Sequence, residues 1–337
     1  MAMTFGEFML LVAGIFILAW VIFSIAHLIE LNKNPEEFSD SHNKRTAWAL
    51  FIIIYIGGML ASAYSVWYYL ERKLPEPAAV QGVWIQTIND LNVFATGIVF
   101  LITTTMLFVY IVKYYGRKGR RAAYIPGKIK VEMAIVSAVA IGLMILIVPS
   151  GLYWFRIMSP APEDAVKVEV TGYQFAWIFR YPGPDGKFGK RDWRLISPDN
   201  PLGIDPNDPA GHDDIVTTEF KIPVNKPVAL HIRSKDVIHS FFIPFFRMKM
   251  DAVPGVPTFM WFTPKYTTEE MREKTGNESF VYEVACAELC GSGHSSMRTT
   301  LDVVEPQEFE QWLNKQTAWY ETYTKNNKSV IAESQQK

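Results

Sequence analysis

Cysteine and histidine are scarce in this chain of 337 residues, which has two cysteines and six histidines. Two cysteines permit at most one disulfide, and a bridge between Cys286 and Cys290 would close so short a loop that it would stabilise little. No Cys-x-x-Cys-His motif occurs, which excludes an attached c-type haem. His27 is the only histidine in a long apolar run, so a bis-histidine haem between spans is excluded as well. We therefore expect no haem in this chain.

Charged residues are nearly absent from four long runs in the first half of the chain. Each run is near or above the roughly 20 residues with which a helix crosses the hydrocarbon core. The first run has Glu7 where a signal peptide would be basic, and no clear cleavage site follows it, so we expect it to be retained. The sequence therefore predicts four transmembrane helices, over residues 8–29, 47–70, 91–112 and 131–155.

Acidic residues are also absent from residues 113–130, which hold seven lysines and arginines. The loop between the second and third runs, in contrast, has two basic residues and three acids. The positive-inside rule places the basic loop in the cytoplasm. With four spans, both termini and the whole C-terminal domain then lie on the outer side.

After Arg156 the pattern changes from apolar runs to the alternation that is typical of β-strands. Strands are predicted at residues 166–170, 216–222, 228–232 and 280–284. Such short strands favour a β sandwich or a small barrel. Residues 183–214 are rich in Pro, Gly, Asp and Asn and lack the spacing of a calcium loop, so a long solvated insertion is predicted. From Glu305 an amphipathic helix is expected to lie against the domain, and the tail after Tyr323 is expected to fray.

The two cysteines belong to a dense group of soft ligands. Residues 286–297 read Cys-Ala-Glu-Leu-Cys-Gly-Ser-Gly-His-Ser-Ser-Met, which places His294 and Met297 shortly after Cys290. Thiolate, imidazole and thioether together suit copper first and zinc second. The glycines on either side of Ser292 allow a tight loop, and His239 is the leading candidate for a further ligand. The usual structural zinc spacing differs, and Met297 would have no role at zinc, so copper is favoured.

Two thiolates that face each other across a tight loop could each bridge two copper ions. In this hypothesis His239 and His294 each complete the ligand set of one ion. Met297 would be a weak axial ligand of one copper, and the backbone carbonyl of Glu288 would serve the other. Such a site carries single electrons and has no open position for a substrate.

This loop resembles the binuclear CuA motif of subunit II of the haem–copper cytochrome c oxidases. The resemblance extends over about residues 90–312 and includes four further segments: Asp236-Val-Ile-His239-Ser, Met250-Asp-Ala-Val-Pro-Gly255, Gly172-Tyr-Gln-Phe-Ala-Trp177 and Lys130-Val-Glu132. It implies a two-helix membrane hairpin followed by a cupredoxin-like barrel of about ten strands. The expected domains are an additional hairpin (1–75), the family hairpin (88–157), the outer copper domain (158–325) and a tail (326–337).

The resemblance also implies roles for individual residues. The implied CuA ligands are His239, Cys286, Glu288 through its carbonyl, Cys290, His294 and Met297. The Glu288 side chain matches a carboxylate that binds a magnesium ion shared with subunit I, and Asp251 matches an acid near that interface. Glu132 matches the mouth of a proton path into subunit I. Phe175 stands where the family has the tryptophan that receives electrons from cytochrome c, and Trp177 matches the next aromatic residue.

The sequence thus predicts an α+β membrane protein that is the CuA subunit of an aerobic cytochrome c oxidase. It would accept electrons from a c-type cytochrome and pass them to haem in subunit I, where oxygen reduction is coupled to proton translocation. The expected location is a bacterial cytoplasmic membrane with the copper domain in the periplasm, and no nucleic-acid partner is expected. A copper-free quinol-oxidase subunit and a soluble CuA reductase or copper-storage domain are the alternatives. The additional hairpin is hypothesised to dock another subunit or a partner respiratory complex.

Overall fold

The computed structural model describes residues 38–70, 76–114 and 126–334, together with residues 121 and 124 and isolated helical positions between residues 14 and 29. Two compact units divide the chain. One comprises Met1–Lys73 and Leu101–Arg120, and the other comprises Leu74–Phe100 and Arg121–Lys337. The second unit holds the β-strands and every predicted metal ligand.

Three helices are long and apolar enough to cross a membrane. They are α1 (Phe38–Leu70, apolar from Ala47), α2 (Val80–Tyr114) and α3 (Ile129–Ile157). Apolar side chains point outward around these helices, as expected for segments whose surroundings are lipid. Three of the four predicted spans are thereby confirmed as apolar helices. The first, with His27, falls mostly outside the described residues, so it stays a prediction.

In the first unit, α1 packs against the C-terminal half of α2 through aromatic rings. The ring of Phe108 stacks on those of Phe51 and Tyr55, at centroid distances of 5.3 and 4.1 Å. The Tyr55 hydroxyl also lies 3.3 Å from the Thr105 hydroxyl. A stacked cluster with one hydrogen bond is a specific helix contact in a setting where apolar burial alone gives little preference.

The second unit is built on two five-stranded sheets that pack face to face. Their strand orders are β3-β2-β1-β5-β8 and β4-β10-β9-β6-β7, with parallel pairs β1–β5 and β4–β10. The strands are β1 (Val166–Tyr173), β2 (Ala176–Tyr181), β3 (Ile215–Thr217), β4 (Phe220–Pro223), β5 (Val228–Ser234), β6 (His239–Ile243), β7 (Met248–Ala252), β8 (Thr258–Phe262), β9 (Tyr282–Cys286) and β10 (Arg298–Val304). Alternate residues such as Val168, Val170 and Phe179 turn inward and meet Phe241 and Tyr282 in one core. The predicted β domain, expected as a sandwich or a small barrel of about ten strands, is confirmed and has ten strands in two sheets.

The start of α2 is inserted into the β domain. The Ala78 N–H donates to the Phe245 carbonyl at 2.8 Å, and the Lys265 N–H donates to the Ala78 carbonyl at 2.9 Å. The Gln81 side chain accepts from the Thr263 N–H at 3.0 Å. Gly82 lies so close to the Phe246 carbonyl that a Cβ atom would collide with it. The first helix of the hairpin is therefore fixed to the sheets by backbone hydrogen bonds.

The prediction of a solvated insertion at residues 183–214 is wrong for its second half. Leu202 and Ile204 are buried there and join Ile178 and Trp319 in a second small core on the outer face of β2. The Asn200 side chain donates to the Ile204 carbonyl and accepts from the Ile204 N–H. Leu202 and Ile204 are two isolated apolar residues in a polar segment. Their burial is only weakly indicated by the sequence, because periodicity cannot be measured over so few positions.

A buried ion network fastens the insertion to the same outer face. Glu169, on β1, is 2% exposed and lies 3.2 Å from Arg180 and 2.7 Å from Arg191 of the insertion. Arg180 also pairs with Asp214 at 3.2 Å, and Arg233 reaches Glu169 at 2.8 Å. Burial alone would raise the pKa of Glu169, but Arg191 and Arg180 outweigh it and hold that pKa below its ordinary value.

The remaining helices are α4 (Thr268–Thr275), α5 (Pro306–Asn314) and α6 (Trp319–Ser334). The predicted amphipathic helix is confirmed as α5, which buries Phe309. The prediction of a frayed tail after Tyr323 is wrong, because α6 continues to Ser334. Trp319, Tyr320 and Tyr323 share one face of α6 and pack against the second core, which provides the tertiary contact that a short helix needs.

Candidate metal centre

The cysteine loop connects two neighbouring antiparallel strands. Cys286 ends β9, Met297 directly precedes β10, and the Cys286 N–H donates to the Met297 carbonyl at 3.1 Å. The loop between them therefore starts and ends at one point. Gly291 has a φ angle of 136°, which side-chain-bearing residues rarely adopt, and a short 3₁₀ turn carries His294 back toward the strands. The tight loop predicted from the glycines is present.

His239 reaches the loop from the adjacent strand. It is the first residue of β6, whose Phe241 pairs with Cys286 of β9. The Ala287 N–H donates to the Ser240 carbonyl at 2.9 Å, which fixes the start of the loop against β6. His239 is fully buried. The upstream ligand predicted from the sequence is thus placed by strand pairing.

The four other predicted ligands lie around the sulfur atoms of Cys286 and Cys290. The Sγ atoms of Cys286 and Cys290 are 3.8 Å apart and do not form a disulfide. His239 Nδ1 lies 3.9 Å from Cys286 Sγ, and His294 Nδ1 lies 3.7 Å from Cys290 Sγ. The carbonyl oxygen of Glu288 is 3.2 Å from Cys286 Sγ, and Met297 Sδ is 3.8 Å from Cys290 Sγ. Each sulfur is therefore flanked by one imidazole and one weaker donor.

This donor set fits copper better than a single structural zinc ion. The ligand atoms of His239, Cys286 and Cys290 lie within 4.8 Å of one another, whereas His294 falls outside that group. A single tetrahedral zinc would need both imidazoles around one point. Here each imidazole lies beside a different sulfur. Thiolate and thioether donors also favour copper over harder ions.

The Cys290 thiol is held in its protonated form. Burial raises the pKa of Cys290 to about 11, and the neighbouring Cys286 adds to the shift. Thiolates are the forms that bind metals, so a metal ion that binds Cys290 has to displace its proton.

The turn between β1 and β2 covers the loop. Gln174 donates its side-chain amide to the Cys290 carbonyl at 2.6 Å. The Phe175 ring lies flat against the loop, so that a Cβ atom on Gly293 would be 2.5 Å from it. Trp177 is 2% exposed, with its ring 5.9 Å from that of His239. Of the two aromatic residues predicted to receive electrons, Phe175 is partly exposed and Trp177 is buried behind a ligand.

Three acidic residues lie near the ligands in different ways. Asp236 accepts from His239 Nε2 at 2.8 Å, and sequence reasoning did not single it out, although an acid three residues before a ligand histidine was a usable signal. Asp251 accepts from the Ser240 hydroxyl at 2.7 Å and is otherwise exposed. The Glu288 side chain is exposed while its carbonyl faces Cys286. Glu132 lies apart from this group, in the first turn of α3, and is exposed.

The chain is similar to known proteins over most of its length. Residues 166–304 match the family model described as cytochrome c oxidase subunit II, periplasmic domain. The alternative cytochrome c oxidase subunit 2 of Bradyrhizobium diazoefficiens is 34% identical over 269 residues, which cover 79% of this chain and 90% of that protein. Cytochrome c oxidase subunit 2 of Cereibacter sphaeroides is 29% identical over 256 residues, 71% of this chain and 77% of that protein.

Among solved structures, the periplasmic domain of subunit II of cytochrome oxidase from Bradyrhizobium japonicum is 29% identical, with a TM-score of 0.31. That match covers 45% of this chain and 94% of the other. The family is shown by the 34% identity to the Bradyrhizobium diazoefficiens protein, which covers 79% of this chain and 90% of that protein. The chain belongs to the cytochrome c oxidase subunit II family.

Proposed function

We propose that this chain binds two copper ions as a CuA centre and relays single electrons from a c-type cytochrome to haem in subunit I of an oxidase. The observation that supports this most strongly is the pairing of each buried sulfur with its own imidazole. When bound, the copper pair would supply one-electron transfer. Membership of the cytochrome c oxidase subunit II family agrees with this role.

The chain's own residues would hold the metal pair rigidly and keep water away from it. His239, Cys286, Cys290 and Met297 are all buried, and backbone hydrogen bonds join both ends of the loop to β6 and β10. A cage of fixed ligands needs little rearrangement when its charge changes by one electron. Each sulfur has an imidazole and one weaker donor beside it, and these residues would hold the copper pair with protein ligands, which argues for electron transfer rather than substrate chemistry at the copper.

The exposed carboxylates of Glu288 and Asp251 are proposed to face subunit I. The Glu288 carbonyl lies beside Cys286 while its side chain points outward, so one residue would contact copper through its backbone and magnesium through its carboxylate. Carboxylate oxygens are the ligands that magnesium prefers. Asp251 would lie near the same ion, and its hydrogen bond to Ser240 ties it to the strand that carries His239.

Phe175 is proposed as the aromatic contact through which electrons arrive. It is partly exposed and packs on the loop backbone, whereas Trp177 has almost no contact with solvent. A tryptophan at position 175 is implied by the family resemblance, so a phenylalanine here would present a smaller, purely apolar surface to the donor. Trp177 would then serve as a wall behind His239.

The membrane part is proposed to consist of four spans in a bacterial cytoplasmic membrane, with both termini and the copper domain in the periplasm. Three apolar helices and the basic composition of residues 113–130 support this orientation. Residues 1–75 would form the additional hairpin, 88–157 the family hairpin and 158–325 the copper domain. Glu132, in the first turn of α3, would lie at the cytoplasmic mouth of a proton path.

Metal analysis of the full-length chain in detergent tests the proposed site. After copper is added and the excess removed, we expect two copper ions per chain, and competing zinc should not displace them. His294→Ala and Cys290→Ser should each lower the copper content, while Ser292→Ala, an exposed change in the same loop, should not. One copper per chain, or preferential zinc binding, would contradict the proposal.

A further inference from the structure

Asp236 connects the two halves of the candidate metal centre, to His239 directly and to Cys290 through Gln174. Its Oδ1 atom lies 2.8 Å from His239 Nε2 and also accepts from the Val237 N–H at 2.7 Å. Its Oδ2 atom accepts from the Gln174 N–H at 2.7 Å. Gln174 in turn holds the Cys290 carbonyl through its side chain. Three N–H groups on two oxygens fix this carboxylate in one orientation, so it links the His239 side of the centre to the Cys290 side.

The hydrogen bond to Asp236 decides which nitrogen of His239 is free for a metal. A carboxylate only accepts, so Nε2 carries a hydrogen, and in the neutral imidazole Nδ1 then keeps the lone pair. Nδ1 is the atom that faces Cys286 Sγ, at 3.9 Å. The ring is also confined by Trp177 and by Gly172, where a Cβ atom would be 3.1 Å from His239 Cδ2. Tautomer and direction are therefore set before a metal binds.

His294 has no such support. It is half-buried, and within the described part of the chain its ring nitrogens have Cys290 Sγ as their single hydrogen-bond partner. The two histidines thus differ in burial and in how firmly their rings are oriented. Only His239 has a carboxylate beside the nitrogen that faces away from the sulfurs. A carboxylate on that nitrogen raises the donor strength of an imidazole and fixes its orientation.

We propose that Asp236 is a positioning residue that preorganises His239 and makes it the stronger of the two histidine ligands. This inference rests on the proposed copper function. It predicts that the two copper ions are inequivalent, with more electron density donated on the His239 side. It also predicts that an uncharged residue at position 236 reduces that difference.

The test compares the wild-type chain with Asp236→Asn and Asp185→Asn, each full-length in detergent and titrated with copper. Asparagine has the shape of aspartate, but its amide arm cannot accept, so at least one of the three hydrogen bonds is lost. We expect copper binding to weaken on the order of 10- to 100-fold in Asp236→Asn. The two histidine nitrogen hyperfine couplings should be unequal in the wild type and converge in this variant.

Asp185→Asn is the matched control, because Asp185 accepts from the Lys187 N–H within the insertion and bonds to no ligand. It should leave affinity and couplings unchanged. If Asp236→Asn fails to fold, the test is made on the wild type alone. The Nε2 proton of His239 should then exchange with heavy water more slowly than the Nε2 proton of His294. If the two histidines of the copper-loaded wild type show equal nitrogen couplings and equal proton exchange, this inference is overturned while the proposed function stands. A wild-type chain that binds no copper pair overturns the proposed function and this inference with it.

Discussion

At the scale of residues, the turn between β1 and β2 packs closely against the cysteine loop. Gly291 and Gly293 present bare backbone to Gln174 and the Phe175 ring. Side chains at these positions would force the covering turn away from the loop. The glycines are therefore needed for contact with the turn as well as for the bend itself.

Gly293→Ala is expected to displace Phe175, because the new Cβ atom would lie 2.5 Å from its ring. Overpacking of this kind costs about 1–3 kcal/mol of unfolding free energy. Thermal unfolding of the metal-free chain should show the loss, and Ser292→Ala in the same loop should show none. A Gly293→Ala chain with unchanged stability and copper content would mean that the turn does not cover the loop as described.

Glu169→Gln leaves three arginines around a neutral side chain that is 2% exposed in the native protein. Breaking a buried ion pair from one side costs about 3–5 kcal/mol. The matched control is Glu283→Gln, whose partner Arg298 is 62% exposed, so that the change should cost about 1 kcal/mol or less. Chemical denaturation of both variants measures the difference, and equal losses would contradict the buried network.

The stability that Glu169 contributes depends on pH in a definite direction. The folded-state pKa of Glu169 lies below its ordinary value of 4.5. Its contribution to stability is therefore complete above that value and is lost as the pH falls through the folded-state pKa. Glu169→Gln should remove this part of the acid-induced loss of stability.

At the scale of elements, α6 contributes to the stability of the domain by covering the second small core. Trp319 is 5% exposed and packs with Ile178, Leu202 and Ile204. Trp319→Ala should cost about 3–5 kcal/mol in unfolding free energy. Trp193→Ala removes an equally large side chain that is 74% exposed, and it should cost about 0.5 kcal/mol or less. If the two variants unfold at the same denaturant concentration, α6 does not form part of the folded domain.

The junction between α2 and the sheets makes a second prediction about elements. Gly82→Ala places a Cβ atom against the Phe246 carbonyl, which is backbone and cannot turn aside, so about 1–3 kcal/mol of stability should be lost. Gly97→Ala, also in α2, meets nothing within 4 Å and should be neutral. Limited proteolysis near residue 76 should be faster in Gly82→Ala alone. Equal proteolysis of both variants would contradict a fixed junction.

The elements also show which parts of the fold can be predicted from sequence. Apolar runs and alternating strands carry strong local signals, and so does a loop that concentrates its ligands within residues 286–297. Gln174 could not be assigned in this way, because its partner Cys290 is brought near it only by strand pairing and the turn. Asp236, in contrast, lies three residues before its partner His239, so its spacing was a local signal that received no role. The buried half of the insertion was missed for the same reason as Gln174, since Leu202 and Ile204 are buried by contacts with distant residues.

At the scale of the whole molecule, the additional N-terminal segment is separable from the copper domain in sequence. Deletion of residues 1–70 should leave copper binding intact, because every proposed ligand lies in the unit that begins at Leu74. Native gels should show a loss of mass in the assembled oxidase or its supercomplexes, since this hairpin is proposed to dock a partner. Unchanged assembly would refute the docking role while leaving the electron-transfer role untouched.

The central claim is that one chain holds two copper ions that share an electron. Electron paramagnetic resonance of the full-length, copper-loaded chain in detergent tests it most directly. We expect a mixed-valence signal in which one unpaired electron is shared between two copper nuclei, and Cys290→Ser should abolish it. A four-line signal from a single copper, or no signal in the oxidised protein, would contradict the account.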